Sequence, residues 1–162
     1  MNEFLGLLEE EKNILIALLE TMQDEKKAVV NSELKELNET SKKKENIILK
    51  IRILEEQRVR MLGQLADSIG YSDGVLTLII LSQLVEEPFS SRLMEYHANL
   101  LALTHSIHDI NKGNNALLLH SIDLIKGSLT LLESLMVSNP LYYRTGTIHN
   151  SDQNGKVLSG II

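Results

Sequence analysis

Residues 96–132 read YHANLLALTHSIHDINKGNNALLLHSIDLIKGSLTLL. Tyr96, Leu103, Ile110, Leu117, Leu124 and Leu131 fall seven apart without a miss. Leu93, Leu100 and Ile107 flank that line on one side, and Leu118, Ile125 and Leu132 on the other. The opposite stripe, Asn99, Ser106, Gly113, His120, Gly127 and Ser134, is small or polar at each step. Apolar side chains repeating every seven residues on one helical face specify coiled-coil-like packing along a rod. The reading is a long helix from about 90 to 137, with Glu86-Glu87-Pro88 before it and Ser138-Asn139-Pro140 stopping it. So much Leu and Ile on one helix must be covered by more than one neighbour, or by a partner.

Working outward, the first thirty residues keep a helical beat. Phe4, Leu8, Glu11, Leu15, Leu18 and Met22 recur at alternating spacings of three and four, and Ile14 and Leu19 widen the stripe. Glu9, Glu10, Lys12, Glu20 and Asp24 occupy the other face. Asn31-Ser32 offers side-chain oxygens to cap a new helix, so the first helix is expected to break or kink here, although nothing in the sequence forbids a continuous rod. A second helix is outlined by Leu34, Leu37, Ile48, Ile51, Leu62, Leu65 and Ile69. Its seam is interrupted at Ser41, Lys44, Glu55 and Arg58, so Ile47, Leu54 and Met61 must carry part of the stripe. Gly70-Tyr71-Ser72-Asp73-Gly74 ends it. The apolar run 75–85 reads as a short, well-buried helix, because a solitary strand would have no partner.

The expected class is therefore all-α, with long antiparallel helices in a coiled-coil-like bundle. The expected organisation is a helical domain over 1–138, with helices at about 2–30, 32–69, 75–85 and 90–137, and a flexible tail over 139–162. Beyond Pro140 the helical period collapses into Thr, Gly, Asn, Ser and Asp.

Composition narrows the function. The chain has 162 residues, no cysteine, two prolines, no tryptophan and 4% aromatic residues, which excludes disulfide scaffolds and thiolate chemistry and disfavours an all-β fold. A net charge of −6 argues against nucleic acid or an anionic membrane as the main partner. The longest uncharged runs fall short of the ~20 residues that span a bilayer, and the N-terminus lacks a signal peptide's basic region. A cytoplasmic location is the expectation.

Chemistry is hard to find. His105 and His108 lie three apart with Asp109 adjacent, but His97 and His120 stand too far along the same rod to complete a metal site. These histidines read as helix surface. No phosphate loop, nucleophile elbow or zincin motif occurs. Glu9-Glu10, Glu55-Glu56 and Lys42-Lys43-Lys44 read as solvated faces. The expectation is a protein that is not an enzyme and takes no cofactor and no metal. Asn111 and Asn114, beside the apolar line, admit two roles: fixing helix register, or satisfying the backbone of a peptide laid along the rod.

The run Asp109-Ile110-Asn111-Lys112-Gly113-Asn114-Asn115-Ala116-Leu117-Leu118, continuing through Ser121-Ile122 to Leu131-Leu132, resembles the asparagine-rich, leucine-rich helix of the FlgN family of flagellar export chaperones. Leu141-Tyr142 with Gly146 four residues on resembles that family's tail motif, and Gly155-Lys156-Val157-Leu158 its ending. Tyr143 beside Tyr142 departs from the pattern, so either ring could serve.

The resemblance implies a cytosolic, non-enzymatic chaperone for the hook-associated proteins FlgK and FlgL. It also implies docking to the export gate component FlhA through Tyr142, Tyr143 and Gly146. Exported subunits polymerise through amphipathic terminal helices, and a rod with spare apolar surface covers such a helix by helix-in-groove packing. The residues expected to form that groove are Leu103, Ile110, Asn111, Asn114, Leu117, Leu118 and Leu124. The alternative is a structural coiled-coil adaptor or homo-oligomeric scaffold with no export client.

Overall fold

The computed structural model describes residues 1–137. They form four α-helices and, among the described residues, no strand: α1 (Asn2–Val30), α2 (Leu34–Ile69), α3 (Leu78–Leu84) and α4 (Phe89–Val137). The chain is all-α, as the heptads require. Its contacts divide it into residues 1–120 and residues 121–162. The expected tail, 139–162, lies outside the described residues.

Within residues 1–120 the helices run up, down and up. Glu11 of α1 meets Arg58 of α2 and Glu25 meets Lys44, so α2 retreats as α1 advances. Tyr96 of α4 meets Glu9 and Asn114 meets Glu25, so α4 advances with α1. Three long helices cannot all be mutually antiparallel: α1 and α4 run parallel, each antiparallel to α2.

Two apolar clusters hold the bundle. Phe4, Leu5 and Leu8 of α1 pack with Leu62 of α2, Leu76, Leu78 and Leu81 around α3, and Leu93 of α4. Further along, Leu18 and Met22 pack with Ile47, and Ile107 and Ile110 of α4 close over them. These are the residues that helical periodicity puts on one face, and their removal from water is the main stabilising term.

The helix ends show which local signals operate. α1 stops because Ser32 turns left-handed, at φ 59°, letting Ser32 N–H donate to Val29 O and Glu33 N–H to Ala28 O. Asn31-Ser32 therefore closes α1 and does not cap α2, whose first turn has no side-chain cap. Gly70, at φ 67°, ends α2 in the same way, with Tyr71 N–H donating to Ala66 O. α3 starts later than the apolar run suggests, because Thr77 Oγ1 accepts from Ile80 N–H at 3.3 Å. Val75 stays outside the helix and is 84% exposed. Only one face of α3 is buried, through Leu78, Leu81 and Ser82. α4 starts where the Glu87 carboxylate accepts from Ser91 N–H and Oγ–H, while Ser90 Oγ–H donates to Ser82 O and ties α4 to α3.

Candidate partner-binding surface

Polar clasps beside the apolar clusters fix the register of the bundle. The buried Glu11 carboxylate accepts from Arg58 Nε at 2.9 Å. Burial pushes this carboxyl above the ordinary carboxylate range, and the Arg58 guanidinium opposes the rise. Glu9 accepts from Lys12 Nζ and from Tyr96 Oη, both at 2.8 Å, and these bonds hold its carboxyl below the ordinary range. Burial and the bond to Glu9 raise the Tyr96 phenol.

The third clasp is the most enclosed. Glu25 of α1 pairs with Lys44 of α2 and accepts from Asn114 Nδ2 of α4 at 2.9 Å. Asn114 Nδ2 also donates to Met22 O at 2.8 Å. Asn114 is 1% exposed, and among the described residues its Oδ1 has no hydrogen-bond partner. One residue from each long helix meets here. The arrangement defines register, since sliding any helix would strand a buried carboxylate.

These clasps account for the broken seam of α2. Lys44 and Arg58 take seam positions because Glu25 and Glu11 oppose them. The readings of Glu11 as stripe and of Lys42-Lys43-Lys44 as a solvated face need amending at these positions: Lys42 and Lys43 are exposed, while Lys44 reaches a buried acid. Glu11 and Glu25 are two heptads apart, and so are Lys44 and Arg58. That matched spacing was the available signal.

The residues expected to form the groove separate by position. Ile110 packs against the second cluster, and Asn114 is inside the bundle, where it has no surface for a guest backbone. Its role is register. Leu103, Leu117 and Leu118 are half-buried, whereas Asn111 is exposed. Leu124 is 59% exposed. Tyr142, Tyr143 and Gly146 lie outside the described residues.

The second unit contributes what sequence alone did not localise. Ile122, Ile125, Leu129, Leu131, Leu132 and Leu135 of α4 are all exposed, and Met136 is 83% exposed. A contiguous exposed apolar stretch of this kind is a candidate interaction surface. Its polar groups are satisfied locally: Ser128 Oγ–H donates to Leu124 O and Thr130 Oγ1–H to Lys126 O.

Elsewhere the molecule offers little chemistry. His105, His108 and His120 are exposed and His97 is half-buried. Among the described residues no group of three or more His, Asp or Glu side chains converges as for a metal ion. An open cleft of about 470 Å³ is lined by Val59, Leu62, Gly63, Val75, Leu76 and His97, among others. No helix among the described residues is long and apolar enough to cross a membrane.

Comparison with curated proteins gives no match, and neither does comparison with solved structures. Comparison with protein families does: the family described as FlgN protein matches residues 1–150. That span takes in the whole helical bundle, the exposed end of α4 and the segment carrying Tyr142, Tyr143 and Gly146. The chain belongs to the FlgN family of flagellar export chaperones.

Proposed function

We propose that this protein is a cytoplasmic chaperone that holds the hook-associated proteins FlgK and FlgL before export, and that the C-terminal part of α4 is where it holds them. The observation that carries this reading is the exposed line of Leu, Ile and Met between Ile122 and Met136. A client's amphipathic terminal helix, with anchors at i, i+3, i+4 and i+7, is the complement of such a face. Covering it keeps client and chaperone from nonspecific association. Leu124 lies within this exposed stretch. Ile110 and Asn114 act indirectly, by holding α4 in the bundle. Handover to FlhA is assigned to Tyr142, Tyr143 and Gly146.

The test is binding of a C-terminal FlgK segment, by calorimetry, to the full chain and to the double variant Leu124→Asp/Leu131→Asp. Both side chains are exposed, so the variant should keep its helical circular dichroism. Its affinity should fall at least a hundredfold. Undiminished binding by the folded variant would remove the surface from this role.

A further inference from the structure

Within residues 1–120, α1 and α2 share a groove on the face turned away from α4, since only these two helices line it. Leu7, Ile14, Leu54 and Met61 form its floor, and the exposed Ile53 stands beside them. Its charges are sorted by helix. Glu3 and Glu10 come from α1, and Lys50 and Arg60 from α2. All four are exposed. Among the described residues none of them takes part in an ion pair.

We propose that this face pairs with the same face of a second copy of the chain, about a two-fold axis parallel to the helices, closing an antiparallel four-helix bundle. That axis lays α1 of each copy over α2 of the other, acidic strip against basic strip. A two-fold axis running across the helices would instead lay α1 on α1 and α2 on α2, with like charges together. Charge complementarity therefore selects a second copy and its orientation.

The register follows from the symmetry, because rotation about such an axis leaves every residue at its own level along the bundle. Arg58 stands level with Glu11 and Lys44 with Glu25. Counting along the antiparallel pair, Arg60 stands level with Glu9 and Ile53 with Ile16. Arg60 of one copy thus arrives within one residue, about 1.5 Å along the axis, of Glu10 of the other. Ile53 arrives within one residue of Ala17 in the same way, and each pairing is made twice. The face from Glu3 to Asp24 is about 33 Å long, and two helices of about 10 Å each give it roughly 650 Å² per copy. The total of about 1,300 Å² lies at the lower end of stable, specific interfaces, so the dimer is concentration-dependent. This goes beyond the client reading and uses a different face, so either reading can fail without the other.

The experiment is sedimentation velocity on the full chain over a wide concentration range, for the parent and for variants at exposed positions. The parent should pass from monomer to dimer as concentration rises. Glu10→Lys and Arg60→Glu each bring like charges together at both symmetric contacts, and each should weaken the dimer by about tenfold. In an equimolar mixture of the two single variants, the heterodimer has opposite charges at both contacts and should associate as the parent does. The double variant Glu10→Lys/Arg60→Glu should do the same. A parent that stays monomeric throughout overturns the proposal. So does association unchanged in both single variants, or lost in the singles and not regained in the mixture.

Discussion

α4 carries one heptad line through two settings. In Phe89–His120 it faces α1, α2 and α3: Leu93 is fully buried, Ile107 and Ile110 close the second cluster, and Asn114 is clasped to Met22 and Glu25. In Ser121–Val137 the same line continues through Leu124 and Leu131, both exposed. Along Ile110, Leu117, Leu124 and Leu131 the residue types barely change across the boundary, while the flank Leu93, Leu100 and Ile107 gives way to Ser121 and Ser128, and the cover changes with it. A heptad repeat states that a face must be covered and leaves open by what. In one half the chain supplies the cover, and in the other the face stays exposed.

The contrast is sharpest in the cost of truncating a leucine. Leu93→Ala should destabilise the fold by about 2–5 kcal/mol, because it empties a site enclosed by three other elements. Leu129→Ala, in the exposed half, should cost roughly 0.5 kcal/mol or less. Urea unfolding of both variants measures the difference, and similar losses would mean that the end of α4 is part of the folded core.

Next in size is the clasp at Glu25. Lys44→Ala leaves a buried carboxylate held only by Asn114, and a loss of about 3 kcal/mol is expected. A variant as stable as the parent would show that the register is fixed elsewhere. No clasp between helices is seen among the described residues of the exposed half, and this is the electrostatic side of the same contrast.

A smaller effect belongs to pH. Burial lifts the Glu11 carboxyl, so the folded chain binds that proton more tightly than the unfolded chain. Ionisation costs stability above the raised value, and the cost is recovered as pH falls toward the ordinary carboxylate value. Glu9 has the opposite sign: its contribution is present above the ordinary value and lost as pH falls through the lowered one. Melting temperature followed from neutral to mildly acid pH should therefore rise less, or fall more, in Glu11→Gln than in the parent. Parallel profiles would contradict this assignment.

The smallest effect is at Ser32, which sits left-handed without being glycine. Ser32→Gly should stabilise the α1–α2 turn by about 0.5–1 kcal/mol, measurable in the same urea experiment. A loss of stability would show that the Ser32 side chain contributes something the backbone geometry does not reveal.

Much of this was legible in the sequence, though unevenly. The heptads of α4, the amphipathic beat of α1 and the turn at Gly70 led directly to an all-α chain, because period and breakers are local properties. The charged seam of α2 was not decoded. Lys44 and Arg58 look like defects until Glu25 and Glu11 stand opposite them, and that is a relation between helices. The run 75–85 misled for a local reason: Val75 and Leu76 are as apolar as α3, but the Thr77 hydroxyl sets where the helix begins. The sequence favours register over recognition for Asn114, and its burial against α1 supports register. The candidate client residues span both the covered and the exposed part of α4, because the line of Ile110, Leu117, Leu124 and Leu131 continues past the point where cover ends.

The most direct test of the central claim is amide hydrogen exchange on the full chain, measured with and without a C-terminal FlgK segment. The account predicts that client slows exchange chiefly in residues 121–137 and leaves Phe89–His120 nearly unchanged, since the bundle already protects it. Slowing confined to Phe89–His120, or none in the exposed end of α4 while the complex forms, would contradict it.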